Sequence, residues 1–199
     1  KYDYYLFFLS LPKVLPCIYC RNSLNEYYKE TPLKKENLVN NQSLQKWLYD
    51  IHNLVNNKLR RQGLNDKKDP DFKSIYKKYQ GCQDSYNFVK KNTKFLYAIA
   101  LNYPVDETYV TKIQKYHYQV FFIYLIKILL TILPNKKVKI FIKKYPIHLF
   151  LKNNDTLTKW LFIIDYLYFG KTHCYDDKCQ LIEKYRARSE EHTSELQSR

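Results

Sequence analysis

Apolar positions along the chain recur with helical spacing, and strand-like alternation is not sustained anywhere. Leu44, Trp47, Leu48, Ile51, Val55 and Leu59 fall near i, i+3, i+4, i+7 and onward, with Ser43 placed to N-cap them and Gly63 just past the end. A shorter helix is predicted to start at the Pro16–Cys17 step and run through Arg21, Leu24, Tyr27 and Tyr28. Further helices are predicted over Asp84–Asn102, Glu107–Leu133, Lys136–Lys144 and Leu157–Phe169, punctuated by Pro104, Pro134 and Pro146. Between the two halves, Asn65-Asp-Lys-Lys-Asp-Pro-Asp71 reads as a polar linker. The most apolar run, Val120–Leu133, carries Lys127 near its middle and is shorter than the ~20 residues that a bilayer-spanning helix needs. It is predicted as a buried helix with Lys127 at an edge, and no membrane span is expected. The predicted class is all-α.

Composition narrows the function classes. Among 199 residues, 45% are hydrophobic, which is enough for a packed core. Three glycines are too few for a Gly-rich phosphate loop or a dinucleotide-binding fingerprint. A formal charge of +15 invites a nucleic-acid reading. Lys, Asn, Ile and Tyr are abundant together, however, and all four share A/T-rich codons. The lysines are also spread along the whole chain instead of being gathered with aromatics on one element. The charge is therefore read as genome composition, and no nucleic-acid partner is expected.

The ends read differently from the middle. The chain contains no Met and begins at Lys1, so it is expected to be an N-terminally truncated piece, and nothing follows about a signal peptide. The segment Arg188–Arg199 loses the Lys/Asn/Ile/Tyr character abruptly and resembles the translation of a sequencing-library adapter. It is expected to be a non-native tail.

Candidate chemistry begins with Cys17-Ile18-Tyr19-Cys20, directly after Pro16. A cysteine at a helix N-terminus sees the positive end of the helix dipole, and Arg21 lies nearby; both favour thiolate. Such a pair can cycle between dithiol and disulfide. It can equally supply half of a zinc site, with Cys174, Cys179 or His173 completing the ligands. A thioredoxin-like motif would need a βαβ setting that the pattern does not offer. On the second helix, His52 and Asn56 are spaced i, i+4, and Asn53 and Asn56 i, i+3, so they form a polar patch beside an apolar stripe. A flat aromatic cofactor needs that mixture of stacking surface and a few polar groups.

Ser43-Leu-Gln-Lys-Trp47-Leu-Tyr-Asp-Ile-His52-Asn53-Leu-Val-Asn56-Asn-Lys-Leu59 resembles the flavin-binding helix of the Erv/Alr sulfhydryl oxidases. Leu15-Pro16-Cys17-x-x-Cys20-Arg21 and Glu26-Tyr27-Tyr28 resemble the versions found in large DNA viruses. The resemblance covers Phe7–Leu59 and implies a four-helix-bundle-type domain, here lacking the first, Trp-x-x-x-His helix that completes the flavin pocket. It implies FAD as cofactor, thiol-containing proteins and molecular oxygen as reactants, and hydrogen peroxide as a product. Cys17 would take the mixed disulfide, and Cys20 would pass electrons to the flavin. Cys20, Trp47, His52, Asn53, Asn56 and Leu59 would bind the cofactor, with no metal. Homodimers are usual for such enzymes. A viral relative would act in the host cytoplasm or virion.

The rest of the chain repeats this pattern without its chemistry. Thr156-Leu-Thr-Lys-Trp160-Leu-Phe-Ile-Ile164-Asp165 parallels Ser43–His52, and Ile132-Leu-Pro134-Asn135 parallels Val14–Cys17. Pro146 stands where Pro32 does, and Phe95–Pro104 resembles the family's first helix. Asn135 and Val138 replace the two cysteines, Tyr97 replaces that helix's histidine, and Asp165 replaces His52. The expected organisation is a truncated catalytic domain at 1–65, a linker at 66–83, a helical degenerate Erv-like domain at 84–187 and the tail at 188–199. Cys82, Cys174 and Cys179 carry no assigned role, and Glu107 and Asp155 form no paired carboxylates. Two alternatives share these residues: a structural zinc module using Cys17, Cys20, Cys174 and Cys179, and a basic nucleic-acid adaptor.

Overall fold

A computed structural model describes residues 1–80, 85–105 and 108–169, with the side chains of 85–92, 109 and 111 excepted. Cys82, Cys174, Cys179, Glu107, His173 and the tail at 188–199 lie outside the described residues. Among those described, eight α-helices and two 3-10 turns occur and no strand, so the all-α expectation holds. The helices are α1 (Tyr2–Val14), α2 (Ile18–Glu30), α3 (Asn41–Arg61), α4 (Phe72–Gln80), α5 (Ser85–Leu101), α6 (Tyr109–Ile132), α7 (Lys136–Lys144) and α8 (Asn154–Phe169). None of them is long and apolar enough to cross a membrane.

Helix α1 is apolar on nearly all sides because it serves two cores at once. Phe7, Leu11 and Val14, at i, i+4 and i+7, join a large cluster built from α5, α6, α7 and α8, around Ile99, Phe121, Phe122, Leu157 and Trp160. Tyr5 and Phe8, turned about one residue around the axis, pack instead against a smaller cluster in which Leu33, Trp47 and Ile51 are buried. Along the first face α1 lies against α6. Lys127 is exposed, as expected, with its ammonium 3.9 Å from Asp3 and 4.6 Å from the centre of the Tyr124 ring.

Pro12 sits inside α1. It has no N–H to donate to the carbonyl of Phe8, four residues back. The Tyr28 hydroxyl of α2 takes that place, donating to Phe8 O at 3.1 Å. The proline therefore creates the acceptor that fixes α2 against α1. Tyr28→Phe is expected to leave this carbonyl unpaired and cost about 1–3 kcal/mol in urea unfolding; an unchanged midpoint would contradict that role.

Helix α8 starts at Asn154, three residues before the predicted Leu157, and the start of α3 and the linker differ from the sequence reading as well. The N-cap of α3 is Asn40, whose side chain accepts from the backbone N–H of Ser43 at 2.8 Å. Both residues are good caps, and the extended backbone of Asn40 decides between them. The predicted linker at 66–83 contains a helix, α4. Asp71 starts it by accepting from the Ser74 N–H at 3.0 Å and the Ser74 hydroxyl at 2.6 Å. Its apolar residues Phe72, Ile75, Tyr76 and Tyr79 keep helical spacing, and Phe72 packs against Tyr49 of α3 with tilted rings 5.5 Å apart between centres. Gly63 ends α3 as read, with φ +69° and the paired bonds Leu64 N–H to Leu59 O and Gly63 N–H to Arg60 O.

The two halves share local geometry. Trp47 donates its indole N–H to Thr31 O at 3.0 Å, and Trp160 donates to Tyr145 O at 2.8 Å. Each acceptor closes a helix just before a proline, Pro32 or Pro146, so each indole satisfies a carbonyl that the helix leaves unpaired. Asn40 caps α3 through Ser43, and Asn153 accepts from Thr156 N–H at 2.9 Å at the start of α8. At the heads of α2 and α7, Cys17 Sγ accepts from Cys20 N–H at 3.4 Å, and Asn135 Oδ1 accepts from Val138 N–H at 3.2 Å.

Candidate functional site: a helix-capping dithiol beside an apolar cavity

The chain turns sharply at Leu15-Pro16, which leaves Cys17 extended (φ −88°, ψ 123°) as the N-cap of α2. One helical turn on, Cys20 presents its thiol beside α3. Both cysteines are free in this structure, Cys17 half-buried and Cys20 exposed.

Burial alone would raise the Cys17 thiol. Hydrogen bonds from Cys20 and from the Cys20 and Tyr19 backbone, with the nearby Lys58 charge, outweigh it and hold Cys17 below the ordinary thiol value. Cys20 is pushed up to about 11, first by burial and then by the Cys17 sulfur that it faces. The cation acting on the pair is Lys58 on α3, which also donates to Ser23 Oγ at 2.6 Å. The guanidinium of Arg21, expected from the sequence to assist, is turned to the Leu15 carbonyl and Tyr118.

Alkylation of the reduced protein with iodoacetamide is therefore expected in two steps. The first should titrate below the ordinary thiol range and the second near about 11. Cys17→Ser removes the neighbouring thiolate, so Cys20 should then titrate lower. Two identical, ordinary thiol titrations would contradict the arrangement.

Behind Cys20, α1, α2 and α3 line a half-open cavity of about 420 Å³, within the range of small-molecule and cofactor sites. Its walls are chiefly apolar, with Leu11, Leu24, Trp47, Ile51 and Val55 among the lining side chains and Tyr28 beside them. The Trp47 ring meets Phe8 and Tyr28 edge-on at 5.4 and 5.3 Å. Few polar groups reach the cavity, notably Cys20, Ser23, His52 and Lys58. His52 Nδ1 lies 2.7 Å from Leu48 O; a carbonyl only accepts, so Nδ1 is the donor in this bond.

Of the residues singled out in the sequence, Cys20, Trp47, His52 and Leu59 line this cavity. Cys17 caps the helix outside the lining. Asn53 and Asn56 are also outside it. Asn56 donates to Asp69 Oδ1 at 2.6 Å, and Arg60 pairs with the other Asp69 oxygen at 2.5 Å. Both draw the segment before α4 onto α3, and they hold the Asp69 carboxyl below its usual range. Lys58 is not singled out by the sequence, and Tyr28 enters there as part of the Glu26-Tyr27-Tyr28 run and not as a cavity residue. Trp47, Ile51, Val55, Lys58, Leu59 and Gln62 lie on one helical stripe, and that spacing is the signal for Lys58. Among the described residues no group of three or more His, Cys, Asp or Glu could hold a metal ion.

A helical domain that sets a vicinal dithiol against a cofactor-sized, aromatic-walled cavity is the class that this geometry defines. Residues 1–80 match the model of the Erv1 / Alr family. A 56-residue stretch is 45% identical to the "Probable FAD-linked sulfhydryl oxidase R368" of Acanthamoeba polyphaga mimivirus. The match covers 28% of this chain and 39% of the length of that relative. No solved structure matches the chain significantly.

Proposed function

We propose that this chain is part of an FAD-linked sulfhydryl oxidase that forms disulfides in thiol-containing proteins. The observation that carries the reading is the placement of Cys20 on the cavity wall with Cys17 outside it. One sulfur can then meet a substrate while the other faces a bound cofactor. The residues present fit a flavin: the walls are chiefly apolar and partly aromatic, and polar groups are supplied by Cys20, His52 and Lys58. Trp47, His52 and Leu59 would hold the ring system, with Asn53 and Asn56 assigned by resemblance alone.

The thiol chemistry follows from exchange rules. A substrate thiolate attacks Cys17 Sγ of the disulfide form, the Cys17–Cys20 bond breaks, and Cys20 leaves as thiolate. A second substrate thiolate attacks the substrate sulfur of the mixed disulfide and releases Cys17. The substrate is oxidised to a disulfide, and two electrons now rest on the Cys17–Cys20 dithiol. Bound flavin would supply the capacity to accept those two electrons and hand them to oxygen as hydrogen peroxide. Cys17 is a good leaving group in the second step because the N–H groups at the head of α2 stabilise its thiolate. Trp47 and Tyr28 form part of the apolar wall next to Cys20, which is itself exposed to solvent.

Purified protein supplied with FAD is expected to retain visible flavin absorbance after gel filtration and to consume oxygen with dithiothreitol. Colourless protein without oxygen uptake would reject the reading. The second helical unit is read as a degenerate copy of the first. This is supported by its matching tryptophan–carbonyl bonds and by the caps in which Asn135 and Val138 stand for Cys17 and Cys20.

A further inference from the structure

Arg21 follows the second cysteine, yet its guanidinium points away from both thiols. Its Nε donates to the carbonyl of Leu15, and its Nη2 reaches the Tyr118 hydroxyl on α6, 3.4 Å away. Leu15 is the residue before the Pro16–Cys17 step, so Arg21 closes the corner in which Cys17 becomes a helix cap. Tyr118 is completely buried, and a buried phenol needs a polar partner for its hydroxyl. Its ring packs edge-on against Tyr103 at 5.5 Å, and the Tyr103 hydroxyl donates to Leu151 O at 2.7 Å.

A second link, from α1 to α2, holds the same corner. Lys13 donates to Asn25 Oδ1 at 2.9 Å, and Asn25 donates to the Arg21 carbonyl at 2.9 Å. His117, beside Tyr118, faces this corner too: burial and the Lys13 charge hold its imidazole below the ordinary histidine range. Two successive residues of α6 thus abut the turn that shapes the dithiol.

We propose that the C-terminal helical unit is a positioning element for the dithiol, with Tyr118 holding Arg21 and Arg21 holding the Leu15–Cys17 turn. The second unit keeps no dithiol of its own at the matching positions, and its contribution is made through this strut. Loosening the strut lets the turn move, and the N–H groups that stabilise the Cys17 thiolate lose their alignment.

The inference rests on Cys17–Cys20 being the reactive pair, but its test needs neither flavin nor oxygen. In the reduced full chain, the rate at which the Cys17–Cys20 peptide gains its first iodoacetamide label is followed by mass spectrometry across pH. Tyr118→Phe is expected to slow labelling at neutral pH about threefold and move the midpoint upward, because a modest rise in thiol pKa removes that share of thiolate. Arg21→Gln should slow it at least as much, and the double variant no more than Arg21→Gln alone, since coupled residues are not additive. Wild-type rate and midpoint in either single variant, or effects that multiply in the double, would overturn the proposal. Should Tyr118→Phe fail to fold, Arg21→Gln, at a half-buried position, decides alone. Loss of oxygen uptake with these labelling effects intact would instead count against the oxidase reading.

Discussion

Replacing Cys20 by serine is expected to bring oxygen uptake by the FAD-supplied protein to background, a loss of about three orders of magnitude or more. Serine keeps the size and the helix but cannot form the disulfide through which electrons leave the substrate. Flavin binding should survive, because Cys20 is one of many cavity-lining side chains and the apolar walls remain. Cys17→Ser should abolish turnover as well, by removing the sulfur that a substrate attacks. The two variants differ in what is left. Cys20→Ser retains the low-pKa cap thiol at the head of α2, and Cys17→Ser retains only the cavity-facing thiol. Oxygen uptake by the purified variants with dithiothreitol checks both, and activity in Cys20→Ser near the wild-type rate would remove the dithiol from the mechanism.

The second large effect concerns stability. Trp160→Ala should destabilise the chain by about 3–5 kcal/mol, the range for deleting a buried aromatic. Trp160 is fully buried in the larger core and satisfies the carbonyl that ends α7. Its removal leaves a cavity between Phe141 and Phe150 and strands the Tyr145 carbonyl. Against a typical total of about 5–15 kcal/mol, a loss of that size populates the unfolded state appreciably. Because α1 belongs to the same core, the dithiol corner should be lost in the same urea transition. A Trp160→Ala midpoint within error of wild type, or a dithiol domain that melts independently, would contradict the shared core.

Much of the helical framework was legible because periodicity and caps agree. The helix over Lys136–Lys144 is bounded by Pro134 and Pro146, and the observed α7 has those limits. Helix α4 escaped notice because a charged run precedes it and its four apolar residues are few, so Asp71 read as linker and not as a cap. The dual role of α1 could not be read either. A helix apolar all round states that it is buried but not that it divides two cores. At the site, the i, i+4 relation of His52 and Asn56 holds, yet the two residues diverge. Asn56 is drawn off by Asp69, whose approach depends on how the chain returns after Gly63. The same logic separates Arg21 from Lys58. Proximity in sequence suggested the arginine as the thiolate's cation, whereas the fold gives that place to a lysine on another helix. The tryptophan–carbonyl bonds explain why Trp47 and Trp160 stand at nearly the same distance, 15 and 14 residues, from a proline.

The most direct measurement of the central claim is anaerobic mixing of dithiothreitol with FAD-loaded protein, followed by flavin absorbance. Wild-type protein is expected to bleach at a rate that saturates with thiol, and Cys20→Ser to bind the flavin yet stay yellow. Rapid bleaching in Cys20→Ser, or no flavin bound by the wild type, would contradict electron passage from the helix-capping dithiol into the cavity.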